Sequence, residues 1–225
     1  MLDNNEFYLT LVRHGQSTTN QNPDLMGQEP NTPLSDHGRY QAELLSQRLK
    51  PDLSKIDFIY SSSYTRALDT AIIATNRTSS QGISIVDDLR EYSAGDWTGV
   101  SREDTLNLEV KVRMGLMGHG FLPPNGESLH QVERRASKWL EEEIIYNKRY
   151  IELANRKRKA KEPPTNIYCF SHGMTIKCIL SYIMNFDRNF TWKISIDNTS
   201  MSKLYFGKDG WKLLNINDCS HLNVI

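Results

Sequence analysis

The chain has 225 residues, 24% of them charged, and its 27 basic and 27 acidic side chains cancel to a formal net charge of zero. That length suits one generously sized domain with a substantial core, and the charge balance excludes whole-molecule attraction to nucleic acid or an anionic membrane. No stretch reaches the apolar length of a membrane span, and Met1-Leu2-Asp3-Asn4-Asn5-Glu6 has neither the basic start nor the apolar middle of a secretory signal.

The first predicted element is a strand over residues 7–12, a run of β-branched, aromatic and leucine side chains too short for a helix. It stops on Arg13-His14-Gly15, placing a cation and an imidazole at a C-terminal strand end, where open α/β sheets bind ligands. The glycine permits a tight turn and close approach. Residues 14–33 show no period, and a loop of that length inside a compact domain is generally functional or disordered. A helix is predicted over 34–49, capped by Ser35 and stopped by Pro51. A strand at 58–61 leads into a helix at 64–75 burying Ala67, Leu68, Ala71 and Ile72, and a third strand at 83–86 runs into Leu89-Arg90-Glu91-Tyr92.

A glycine-bearing loop at 95–99 precedes a helix predicted over 101–117, with Ser101 and Asp104 as its capping box. Glycine and proline punctuate 118–126. Ser128 and Gln131 then form a second capping box and open a long helix, with Leu129, Val132, Ala136, Trp139 and Ile144 at spacings of three, four, three and five. Its pattern weakens toward Pro163-Pro164. A strand at 166–170 ends on Ser171-His172-Gly173, a helix follows at 174–184, and strands at 200–206 and 211–216 are joined by Gly207-Lys208-Asp209-Gly210 as a hairpin. Strands alternating with helices imply an α/β fold: three αβα layers, a mainly parallel central sheet with right-handed crossovers, and an antiparallel edge. Residues 1–225 are read as a single domain with a lid-like insertion at about 92–126. Cys169, Cys178 and Cys219 form an odd set without metal-type spacing, so reduced thiols and a cytoplasmic location are expected.

Four His-Gly pairs occur, at 14–15, 37–38, 119–120 and 172–173, and only the first and last directly follow predicted strands. His37 and His119 are read as solvent-facing and structural. His14 and His172, on two parallel strands, should meet at one sheet edge. Zinc on His14, His172 and Glu91 is one chemistry these residues offer, but no compact spacing such as H-E-x-x-H supports it.

Leu11-Val12-Arg13-His14-Gly15 followed by Asn20 resembles the signature of the histidine phosphatase superfamily, whose fold is phosphoglycerate mutase-like. So do Ser61-Ser62-Ser63-Tyr64-Thr65-Arg66-Ala67, Leu89-Arg90-Glu91 with Gly95, Trp97 and Gly99, Pro124-Asn125-Gly126-Glu127-Ser128, and Phe170-Ser171-His172-Gly173, in the family's order from residue 9 to about 180. The resemblance implies a histidine acid phosphatase-type phosphoric monoester hydrolase, acting on a small phosphorylated metabolite such as a sugar phosphate, without metal or cofactor. His14 would be the nucleophile and Glu91 the proton donor, with Arg13, Arg66 and His172 around the phosphoryl group. Asn20 would contact the phosphate, Gln16 and Ser17 would line its rim, and Gly173 would lie beside it.

The chemistry suits those residue types. Neutral imidazole has a lone pair for phosphorus, provided its other ring nitrogen donates to a fixed acceptor. Guanidinium forks match phosphoryl oxygens in pairs. A cofactor-dependent phosphoglycerate mutase is the alternative activity, but Gln16 stands where the mutases have an acid, Thr19 where they have Trp, and the 92–125 segment is short. Lys111, Arg113 and His119 of the lid are candidates for a second anionic group. The basic run Lys148 to Lys161 follows Glu141, Glu142 and Glu143, an order that suits the helix macrodipole and reads as a solvated helix end. The expected partner is a small phosphorylated substrate, with no nucleic acid and no membrane; the oligomeric state is left open. A non-catalytic phosphate-binding module is the remaining class, set apart by binding without turnover.

Overall fold

Side-chain alternation along the central strands decides the layering. The computed structural model describes residues 5–22, 24–186 and 188–223, without the side chains of 188–190. Strands β1 (Phe7–Arg13), β2 (Phe58–Ser61), β3 (Ile83–Ile85), β4 (Thr165–Ser171), β5 (Met201–Gly207) and β6 (Gly210–Asp218) form one sheet in the order β3-β2-β4-β1-β5-β6. The first three pairings in that order, up to β1, run parallel, and the β5–β6 hairpin adds the antiparallel edge. The helices are α1 (Asp36–Leu49), α2 (Thr65–Thr75), α3 (Arg102–Thr105), α4 (Leu108–Met117), α5 (Leu129–Trp139), α6 (Lys148–Ala160) and α7 (Gly173–Met184).

Phe7, Leu9 and Leu11 of β1, with Ile167 and Cys169 of β4, face α5 and α7, where Ala136, Trp139, Ile176 and Ile179 receive them. Val12, Tyr168 and Phe170 face the opposite way, onto Leu45 and Leu49 of α1 and Ala71 and Ala74 of α2. Burial on both faces explains why β1 and β4 read as continuous apolar runs. No helix among the described residues is long and apolar enough to cross a membrane.

Two expected helices are interrupted, both at asparagine. The 101–117 helix divides into α3 and α4 because the Asn107 side chain accepts from Val110 N and caps a new start. Ser101 caps α3 by accepting from Glu103 N, so the expected box with Asp104 is not made. The long helix from Ser128 keeps its Ser128–Gln131 capping box, passes into a π-helical stretch at Leu140–Ile145, and restarts as α6 where Asn147 accepts from Arg149 N. Asparagine competes with the helical backbone for its own hydrogen bonds, which favours caps over interiors. The π turn accounts for the five-residue step from Trp139 to Ile144, both buried. The basic run is less solvated than expected: Lys157 pairs with Asp57 at 2.7 Å, and Arg149 lies over the Phe58 ring.

His37 is exposed as expected, but His119 is buried, edge-on to His130 with centroids 5.9 Å apart, which corrects its reading as solvent-facing. The His37-Gly38 pair owes its glycine to backbone crowding. A Cβ on Gly38 would lie 1.9 Å from the Gln16 carbonyl oxygen, and one on Gly15 would lie 2.5 Å from the Gly38 carbonyl oxygen. The turn after β1 and the first turn of α1 thus touch backbone to backbone. Gly38→Ala should cost about 1–3 kcal/mol of stability, the usual range for overpacking a site that cannot yield. Urea unfolding reads it directly, and an unaltered midpoint would show that the contact is loose.

Candidate active site

Strand register brings the two strand-end histidines together. Arg13 pairs with Ser171, so His14 and His172 follow side by side; the His14 backbone N–H continues the ladder by donating to Ser171 O at 3.0 Å. The two rings lie 5.1 Å apart at 58°. Arg66, in the first turn of α2 and wholly buried, points its Nε at His14 Nε2 from 3.4 Å. His14, His172, Arg13 and Arg66 therefore form one cluster at the carboxyl ends of the parallel strands, as the sequence implied.

Hydrogen-bond direction assigns the His14 tautomer. His14 Nδ1 lies 2.6 Å from the Gly15 carbonyl oxygen, which can only accept, so Nδ1 carries the proton and Nε2 keeps the lone pair. Ser62 Oγ accepts from Tyr64 N at 3.2 Å and lies 2.8 Å from His172 Nε2. His172 Nδ1, Arg13 Nε and Arg66 Nη2 are buried with no hydrogen-bond partner among the described residues. Buried donors are normally paired. Two buried guanidinium groups and a second imidazole close to His14 suit an oxyanion.

Burial, and then the Arg66 charge, holds both imidazoles well below the usual histidine range, with Arg13 acting the same way. Burial also lowers Arg13, opposed by Glu91 and Asp197, and brings Arg66 down to about 10, still cationic at neutral pH. The cluster thus combines a neutral imidazole with two fixed positive charges. Behind it, residues preceding β5 hold the turn: Arg13 Nη1 donates to Ile196 O at 2.7 Å and Asn198 Nδ2 to His14 O at 2.9 Å. Gly15 N donates to Thr70 Oγ1 at 3.0 Å. Sequence reasoning missed Asn198, just before β5, and Thr70, in the middle of α2.

Glu91 enters from the loop after β3 and sits against the start of α7. Its Oε1 accepts from Tyr92 N at 2.9 Å and Thr175 N at 3.2 Å, while Oε2 accepts from Met174 N at 3.2 Å. The N-terminus of a helix favours a carboxylate there. The loop itself is strapped from two sides. Ser171 Oγ donates to Leu89 O, and Arg135 of α5 donates to Asp88 O at 2.7 Å and Glu91 O at 3.2 Å. Glu127 pairs with Arg135 at 2.9 Å and accepts from Ser93 N, so the Gly126-Glu127-Ser128 segment braces the acidic loop. Arg135 was not singled out from the sequence.

Asn20 Oδ1 accepts from Ser17 N, which leaves its amide group free to donate, and Asn20 lines the cleft with Arg13 and Glu91. Gln16 and Ser17 do not line that cleft. Gln16 Oε1 accepts from the Ser35 cap, and the buried Ser17 hydroxyl donates to Gln28. Gly173 lies alongside the Arg13 guanidinium, 3.5 Å from Nε to the position of a Cβ. The cleft, of about 580 Å³, is walled partly by the 92–126 segment. Its lid-side cation is Arg102; Lys111 and Arg113 are exposed on α4 outside it. Among the described residues no three His, Cys, Asp or Glu side chains gather as a metal-binding group.

The buried neutral histidines set a pH dependence. Below about pH 6.5 the unfolded chain takes up protons that the folded imidazoles refuse, so stability falls as pH drops from there, by up to about 1.4 kcal/mol per pH unit for each imidazole. Above that pH the two groups contribute no slope. Unfolding free energies between pH 7.5 and 5 should show the decline in the wild type and a flatter profile in a His14→Asn/His172→Asn double variant. Equal slopes would contradict the assignment of buried neutral rings.

Comparison with known proteins agrees with this geometry. Residues 9–219 match the histidine phosphatase superfamily (branch 1). A fructose-2,6-bisphosphatase TIGAR B of Danio rerio is 37% identical over 137 residues, 60% of this chain and 52% of that protein; the chain therefore matches about half the length of that relative. A putative phosphoserine phosphatase 2 of Hydrogenobacter thermophilus is 26% identical over 216 residues, 95% of this chain and 96% of that one. A phosphoserine phosphatase mutant from Entamoeba histolytica, solved with phosphoserine, shares the fold with TM-score 0.74 at 22% identity, over 96% of this chain and 99% of that one. With its two strand-end histidines, its paired arginines and a match running nearly end to end, the chain belongs to the histidine phosphatase superfamily, branch 1.

Proposed function

We propose that the protein is a phosphomonoesterase that hydrolyses a small phosphorylated metabolite through a phosphohistidine on His14. One observation carries this reading: the His14 Nε2 lone pair faces Arg66 at 3.4 Å, in a buried cluster where His172 Nδ1, Arg13 Nε and Arg66 Nη2 have no hydrogen-bond partner among the described residues. Nε2 attacks phosphorus in line, the P–O bond to the leaving group breaks, and the departing oxygen takes a proton from Glu91. Water then attacks the phosphoramidate, returns a proton to Glu91, and the N–P bond breaks to release inorganic phosphate. The net change is ester plus water to alcohol plus phosphate. The arginines and His172 meet charge that grows on the equatorial oxygens, so catalysis is mainly positioning and electrostatic stabilisation.

Asn20 adds an amide donor to the phosphoryl group. Ser17 acts through it by holding the turn, Gln16 ties that turn to the Ser35 cap, and the small Gly173 leaves the Arg13 fork room to reach the anion. No step calls for a metal or a cofactor. Membership of branch 1 replaces the acid-phosphatase label attached to the expected activity, since that label belongs to a different family. The phosphatase names of the relatives support hydrolysis as the outcome.

Rapid quench after mixing with an alkyl phosphate should trap phosphate on His14, with alcohol released ahead of inorganic phosphate by the amount trapped. His14→Ala should lose turnover, and an unmodified His14 in the wild type would overturn the pathway. Glu91→Gln should lower kcat for alkyl esters by about 10²–10⁴-fold, the usual worth of a placed proton donor. It should do far less for p-nitrophenyl phosphate, whose leaving group needs no proton. Arg135→Ala, which frees the Glu91 loop, should reproduce that leaving-group dependence in weaker form, with kcat rather than KM affected. A uniform loss on both esters would show that Arg135 serves stability alone.

A further inference from the structure

Beyond the phosphoryl end, the cleft changes character. Leu106 and Met114 of the lid, Phe121, Leu129, Met174 at the start of α7 and Trp192 line it. Phe121 and Leu129 are buried, and Phe121 is stacked on Trp97 with centroids 5.7 Å apart, so this side is a supported apolar wall. Trp192 stands 60% exposed. Its uncharged polar side chains come mainly from the 19–28 loop, where Asn20 and Gln28 are already bonded to Ser17, with Tyr92 and the Glu91 carboxylate beside them. Arg13 and Arg102 are the cations of the lining among the described residues, and Arg13 belongs to the phosphoryl site.

A volume of about 580 Å³ falls within the range of about 300–1,000 Å³ typical of sites for drug-sized ligands. A phosphorylated glycerate or amino acid would fill little of it, and a sugar would leave its hydroxyls against hydrocarbon. A second phosphate would find one guanidinium instead of a cluster. Resting on the phosphatase reading above, we propose that the preferred substrate is a phosphate monoester whose leaving group is apolar and of ring size or larger, seated between Phe121, Met114 and Trp192. Methionines at 26, 114 and 174 make the wall deformable, which suits leaving groups of varied outline.

The test compares 2-phenylethyl phosphate with ethyl phosphate, whose leaving alcohols differ little in acidity, so that preference reports contact with the cleft and not chemistry. The wild type should show kcat/KM at least tenfold higher for the phenylethyl ester, and higher than for phosphoserine or 3-phosphoglycerate. Met114→Gln and Trp192→Ala, at partly exposed positions, should each bring the phenylethyl-to-ethyl ratio toward one. A wild-type ratio near one, a preference for phosphoserine or 3-phosphoglycerate, or a ratio indifferent to both variants overturns the proposal. In those cases, His14-dependent turnover of ethyl phosphate leaves the phosphatase reading standing. Absence of turnover with every ester overturns both.

Discussion

The site depends on a single orientation-setting contact, the hydrogen bond from His14 Nδ1 to the carbonyl oxygen of its own neighbour, Gly15. A carbonyl can only accept, so this bond fixes the imidazole tautomer and with it the atom that carries the lone pair. Everything nearby serves to keep that carbonyl still. Gly15 N is held by Thr70 Oγ1, its Cα crowds the Gly38 carbonyl, and the His14 carbonyl is gripped by Asn198. An imidazole inside such a frame has little orientational freedom left to lose on meeting a ligand.

Burial gives the same imidazole its second property. Out of water and beside two guanidinium groups, protonation is disfavoured, so the ring stays neutral and nucleophilic. Three buried side-chain nitrogens here have no hydrogen-bond partner among the described residues, and buried polar groups left unpaired cost stability. An anion in the cleft would restore those lost hydrogen bonds and neutralise the arginines at once. Local strain of this kind in the folded chain favours the oxyanion over every neutral competitor.

The acidic side of the site is built differently. Glu91 is on a loop, and loops are poor platforms unless braced. Here the bracing comes from Arg135, Glu127, Ser171 and the first N–H groups of α7, drawn from three separate elements. The α3–α4 segment follows this same loop and contributes Arg102, Leu106 and Met114 to the cleft wall, although α4 has no fully buried side chain.

The apolar runs ending on His14 and His172, the alternation of strand and helix and the Ser35 and Ser128 caps were legible in the sequence, because each is a local pattern with a local cause: side-chain period, strand propensity or a cap bond. Even the π turn left a trace in the five-residue step from Trp139 to Ile144. The breaks at Asn107 and Asn147 were equally local but were outweighed by helical periodicity on either side. Other features had no local trace at all. That Asn198 backs His14, that Arg135 holds the Glu91 loop, that His119 is buried and that Arg102 rather than Lys111 lines the cleft are outcomes of packing between segments many tens of residues apart. Sequence alone determined which elements form and which side chains end the parallel strands. Only the tertiary structure decided ring tautomers, buried charge and the character of the cleft, since these depend on distances across the chain that no local pattern encodes.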